Sequence, residues 1–232
     1  MKKTQNNSAN SPKEAENPFA FSDKVEYFME NHRKTMIGIA SGVVVAIFAT
    51  WGYYEGYKIP REQKAAELMA MPLADFQKGK YQESLHGEED FYGLAYIADQ
   101  YKGTPSGDVA RYAAGISALQ MDKVEDALQY LEGLTLQDNL LNSILHLTLG
   151  DIYLDQAQKS KSIDAYKTAV KSAKETDLTA MALKKLGVAY EVFGAYKDAL
   201  TCYEEISMDY PNSPEARDID KYIAKAQTLQ NN

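Results

Sequence analysis

The groups in this chain that could do chemistry are few: three histidines, one cysteine and a scatter of carboxylates. A metal site needs ligands at a short helical or turn spacing. His32, His86 and His146 fall in an N-terminal stretch, a turn and a predicted helix, and no two of them share such a spacing. Asp218 and Asp220 stand two apart on a predicted helix and so point to different sides. They read as solvated surface rather than as two carboxylates sharing a proton. Cys202, the single cysteine, reads most simply as a small buried hydrophobe. The sequence has no glycine-rich phosphate loop, no G-x-S-x-G and no H-E-x-x-H. These residues predict no enzyme, no metal, no cofactor and no small-molecule substrate, so the elements that carry them become the subject.

The first such element is the run "TMIGIASGVVVAIFATWGYY", residues 35–54, which contains no charge. Twenty residues at about 1.5 Å of rise each cover about 30 Å, the thickness of a bilayer's hydrocarbon. Trp51, Tyr53, Tyr54 and Tyr57 gather at its far end, where amphipathic rings favour the headgroup layer, and Arg33 and Lys34 close the near end. A cleaved signal peptide fits less well. The polar stretch before the run is long, the run exceeds the usual apolar core of a signal, and no small-x-small cleavage site follows. An uncleaved transmembrane anchor is the expectation. Lys24, Arg33 and Lys34 balance Lys58, Arg61 and Lys64 across it. Lys2, Lys3 and Lys13 then favour the tail, residues 1–34, on the cytoplasmic side of a bacterial inner membrane and residues 55–232 in the periplasm.

The tail divides in two. "MKKTQNNSANSPKEAENP" has almost nothing apolar to bury and is predicted disordered. In "FAFSDKVEYFMENHRK", Phe21, Val25, Phe28 and Met29 share one helical face, which predicts either an amphipathic docking helix or a short extension of the membrane helix. Beyond residue 34 the chain carries 19 basic and 28 acidic side chains. That acidity argues against binding nucleic acid, which requires clustered Lys and Arg, and against electrostatic docking on anionic lipid.

The C-terminal two thirds repeat themselves. In "ALKKLGVAYEVFGAYKDALTCYEEISMDYPNSPEA" small residues and aromatics sit at fixed offsets: Gly187, Tyr190, Gly194, Ala199, Tyr203 and Pro211. The offsets recur upstream from Gly150, with Tyr153, Ser162, Tyr166 and Ala169, and again from Gly115, with Ala118, Ala127, Leu131 and Leu134. Small side chains let paired helices approach while aromatics fill the space around them. This pattern resembles the tetratricopeptide repeat, a 34-residue helix-turn-helix in which Gly115, Gly150 and Gly187 take the eighth position. Repeats are expected at about 108–141, 143–176 and 180–213. "FQKGKYQESL" echoes the turn at Gly194, and "DQYKGTPSGDVAR" parallels "MDYPNSPEARDID", each with a helix cap before a proline. Residues 62–101 therefore read as a degenerate helical pair broken near Gly87, and 214–229 as a closing helix. The fold class expected is all-α: one N-terminal transmembrane helix followed by a repeat solenoid.

What the resemblance implies is a protein-binding groove. In tetratricopeptide proteins the first helices line the concave face at their second, fifth, ninth and twelfth positions. Here those positions hold Val109, Tyr112, Ile116 and Leu119, then Ile144, Leu147, Asp151 and Leu154, then Met181, Lys184, Val188 and Glu191. The candidate binding residues are the apolar ones: Val109, Tyr112, Ile116, Leu119, Ile144, Leu147, Leu154 and Val188. Either they accept an apolar segment of a partner, or the terminal helices fold back over them. Tyr112 and Ile116 stand where a carboxylate clamp for chaperone tails would need polar and basic residues, so that function is not expected.

The layout of the whole chain resembles the ancillary subunit of the bacterial SecYEG translocon, the YfgM-like family, and tetratricopeptide proteins of Bacteroidetes-type bacteria. The resemblance runs from "NHRKTMIGIASGVVVAIF" through "YYEGYKIPREQKAAELM" to "YPNSPEARDIDKYIAKAQ". It implies a periplasmic scaffold whose partners are translocon subunits, membrane-anchored chaperones or exported clients. A scaffold for cell division or outer-membrane assembly is the alternative reading.

Overall fold

The computed structural model describes residues 32–174, 176 and 178–231. The amphipathic face expected at Phe21 to Met29 lies outside them. Two units separate, residues 1–57 and 58–232. In the first, α1 (Arg33–Tyr53) begins two residues before the uncharged run and buries none of its side chains. It belongs to a helix long and apolar enough to cross a membrane. A π-helical turn, Tyr54–Lys58, follows.

In the second unit the helices come in pairs because each tight turn closes in the same way. α2 (Ile59–Leu68) and α3 (Ala70–Gln77) precede α4 (Tyr81–His86). A two-stranded hairpin, β1 (Gly87–Glu88) with β2 (Phe91–Tyr92), leads to α5 (Leu94–Gln100). Then come α6 (Pro105–Gln120) with α7 (Val124–Leu131), α8 (Asn139–Asp155) with α9 (Lys159–Ala173), and α10 (Thr179–Val192) with α11 (Tyr196–Asp209). A 3-10 turn, Pro214–Asp218, opens α12 (Ile219–Gln230). The closing segment thus begins as a 3-10 turn rather than as a regular helix from residue 214.

Four of the turns between paired helices carry a left-handed residue at the same place: Gly79, Asp122, Ala157 and Gly194, with φ of 76°, 57°, 54° and 73°. At each, the next amide reaches back five residues: Lys80 to Asp75, Lys123 to Ala118, Gln158 to Tyr153 and Ala195 to Tyr190, at 2.8–2.9 Å. The left-handed residue's own amide also reaches back three residues, Gly79 to Phe76, Asp122 to Leu119, Ala157 to Leu154 and Gly194 to Glu191, and this double closure satisfies carbonyls that a helix end would otherwise leave without partners. Side chains cap the two longest helices of this unit, α6 and α8, and the 3-10 turn. Thr104 accepts from the Gly107 amide, Asp138 from Leu141 and Ser213 from Ala216.

Between paired helices the small residues meet the large ones. A methyl group added at Gly115 would lie 2.5 Å from Leu131, one at Gly150 would lie 2.5 Å from the Tyr166 ring, and one at Gly187 would strike the Tyr203 ring. Tyr166 and Tyr203 are among the largest side chains wholly removed from solvent. Ser162 Oγ donates to the Gly150 carbonyl at 3.1 Å, and Ser84 Oγ donates to Pro72 at 2.8 Å across the same twelve-residue interval. Pro72, Gly79 and Ser84 therefore stand in the α3–α4 pair as Gly150, Ala157 and Ser162 stand in α8–α9.

Two departures from regularity matter later. α4 ends at Gly87, whose φ is +84°, and the hairpin stands where a full second helix would continue. α7 stops at Leu131, because Glu132 is extended and Gly133 has a φ of 71°. Leu134 and Leu136 still enter the core, but from an irregular strand pinned by Asn142, whose Oδ1 accepts from the Leu136 amide at 3.0 Å. Leu134, placed by the repeat pattern on a helix, is thus buried from a loop.

Candidate protein-binding groove

The first helices of the three clear pairs, α6, α8 and α10, place the groove candidates, and their burial differs sharply. Leu147 is 6% exposed and belongs to a core cluster with Tyr166, Leu186 and Ala189. Leu154 packs against the same cluster. Tyr112 and Leu119 pack on Leu131, Leu145 and Leu149, which joins the first clear pair to the second. Burial raises the Tyr112 phenol above its ordinary pKa, so it stays neutral. Val109 lies on a cluster shared with Ala65, Leu94 and Ile97 from the N-terminal helices. Among the described residues, Ile116, Ile144 and Val188 are half-buried and join none of the four core clusters.

The polar groove positions are engaged within the chain. Lys185 Nζ lies 2.7 Å from Asp151, which also accepts from the Tyr166 hydroxyl at 2.5 Å. Lys184 meets Asp218 of the closing segment at 2.7 Å, and this hydrogen bond lowers the pKa of the Asp218 carboxyl. Lys225 of α12 meets Glu191 at 2.6 Å, where Tyr203 also donates at 3.2 Å. The Glu191 side chain is only 8% exposed, and Lys225 reaches it from a largely exposed position, so the pair joins α12 to α10 at the surface. Asp218, expected as solvated surface, is exposed at the end of the 3-10 turn. Its pairing with Lys184 spans 34 residues, which no local pattern in the sequence displays.

Cys202 is buried, and that burial pushes its thiol pKa up to about 12. His146 is half-buried and its pKa is lowered by that burial. No group of three or more potential metal ligands gathers among the described residues.

Position-for-position contact between each glycine and the large side chain sixteen residues later, made three times over, is the arrangement that defines the repeat. A family model described as Tetratricopeptide repeat matches residues 112–174 and, overlapping them, 147–214. These are tetratricopeptide repeats. The fold is also similar to a crystal structure of nearly identical TPR-like repeats from a Podosopora anserina protein described as a kinesin light chain. That match has a TM-score of 0.54 at 15% identity and covers 73% of this chain and 88% of the other. No curated protein matches the chain. Tetratricopeptide arrays hold protein partners, and at this identity the likeness carries the fold alone.

Proposed function

We propose that this chain is a membrane-anchored scaffold that holds an apolar segment of a protein partner against the first helices of its tetratricopeptide array. The observation that carries the reading is the set Ile116, Ile144 and Val188, three branched apolar side chains at groove positions that the core leaves out. The charged positions of the last repeat are already engaged by the 3-10 turn and α12, so the open part of the groove is the apolar part, with Ile116 on α6, Ile144 on α8 and Val188 on α10. Apolar grooves of this kind take amphipathic helices or extended segments.

The uncharged run within α1 and the aromatic residues at its far end support an anchor in a bacterial inner membrane, and the lysines of the tail favour the tail on the cytoplasmic side and the array in the periplasm. In that compartment the partners are translocon subunits, membrane-anchored chaperones or exported clients, which is what the layout of the chain resembles. An envelope scaffold for division or outer-membrane assembly would use the same groove. A photo-crosslinking residue at Ile144, introduced into the full chain in native membranes, tests the reading. Crosslinks to a defined protein from Ile144, and none from the same residue at Asp164 on the second helix, are expected. Equal crosslinking from both positions overturns it.

A further inference from the structure

The hairpin that interrupts the N-terminal helical pair is built with more care than a loose insertion requires. Its base is two glycines in backbone contact: a methyl group added at Gly87 would meet Gly93 N at 2.5 Å, and one at Gly93 would strike the backbone of His86 and Gly87. Gly87 pairs with Tyr92 and Glu88 with Phe91. The geometry admits no side chain at either glycine and holds the turn in one place. It also determines what the turn displays. Tyr92 is 53% exposed and Tyr96, on the first turns of α5, is 41% exposed. Their rings stack on each other with centroids 4.2 Å apart and planes 16° from parallel. The opposite face of α5 is the buried one, carrying Leu94, Ile97 and Ala98, so the pair belongs to the outer surface.

An exposed stack of two phenol rings is apolar area that a repeat does not need. Beside it the turn carries Glu88, Glu89 and Asp90, all exposed, and one helical turn beyond Tyr96 comes Asp99. A π face rimmed by carboxylates is complementary to cations, and above all to guanidinium, which stacks flat on a ring while its edge donates to carboxylates. We infer that the Tyr92–Tyr96 stack and the Glu88–Asp90 turn form a second docking surface, which accepts an arginine-rich segment of a partner protein. This surface lies on the hairpin and α5, apart from the groove on α6, α8 and α10, and stands independently of the function assigned to that groove.

The test uses the full chain in nanodiscs of zwitterionic lipid and a fluorescein-labelled peptide of alternating arginine and glycine, read by anisotropy. A Tyr92→Ser/Tyr96→Ser variant keeps every charge and removes the platform. It is expected to raise the Kd about tenfold with its melting temperature unchanged. A Glu89→Lys/Asp90→Lys variant, altered only at exposed positions of the turn, is expected to lose measurable binding. Replacing arginine by lysine in the peptide should weaken binding to the native protein and leave the Tyr92→Ser/Tyr96→Ser variant nearly indifferent to the change. Binding that is the same in the native protein and the tyrosine variant overturns the inference, since general acidity then holds the peptide. It is equally overturned if the rings prove to hold lipid or a second copy. The signs would be tyrosine-dependent binding of the peptide-free nanodiscs to empty phosphatidylcholine vesicles, or tyrosine-dependent self-association.

Discussion

Ala157 holds a backbone conformation that L-residues avoid, because its place in the array is fixed by the three turns equivalent to it. Two of those turns use glycine and one uses aspartate, with φ between 57° and 76°. A left-handed conformation costs a non-glycine residue about 1–2 kcal/mol, and glycine gives back about half of that in chain entropy. Ala157→Gly is therefore expected to stabilise the protein by about 0.5–1 kcal/mol, measured by denaturant unfolding in detergent. No change would mean that the turn relaxes into another conformation. His146 supplies a pH-dependent term of the opposite kind. Its folded-state pKa lies below the unfolded value, so the unfolded chain takes up the proton more readily. Its contribution is fully present above the unfolded pKa, near 6.5, and is lost as pH falls below it. His146→Gln should therefore flatten the fall in melting temperature between pH 7.5 and 5 relative to the native protein, and parallel curves would remove His146 from the account. Cys202 is buried with its thiol pKa pushed up to about 12, so alkylation at pH 8 should wait on unfolding.

Among the elements, the contact between the glycine and the large side chain of each pair sets the packing. Leucine at Gly187 would need space held by the Tyr203 ring, itself 0% exposed. Gly187→Leu is expected to cost about 1–3 kcal/mol or more, with a smaller loss for Gly187→Ala. An unchanged melting temperature would mean the helices do not meet there. This contact was legible in the sequence because a small residue and an aromatic must recur at a fixed interval for two helices to touch. The caps at Thr104 and Ser213 were legible for the same reason, since cap chemistry and proline occupy consecutive residues. The shortened α7 was not. The side chain of Leu134 continues the helical spacing from Leu131 while Gly133 sends the backbone elsewhere, and pattern follows burial rather than backbone path. Nor did pattern tell core from groove. Leu147 and Ile144 are alike by residue type, and only the packing of neighbouring pairs, a long-range property, buries one and leaves the other half-exposed.

The whole molecule combines a helix long and apolar enough to cross a membrane with a tetratricopeptide array. With α1 across the membrane and the array outside, protease added to spheroplasts should remove residues beyond about Tyr57 and spare the tail, and protection of the array would reverse the assigned orientation. The central claim is that the array holds a partner through apolar side chains its own core does not use. Ile116→Ser/Ile144→Ser in the full chain tests it most directly, with melting temperature and partner crosslinking in native membranes read on the same variant. Truncating these half-buried side chains is expected to leave the melting temperature within a few degrees of the native value and to abolish most of the crosslinked complex. A stably folded variant that crosslinks as the native protein does would contradict the account.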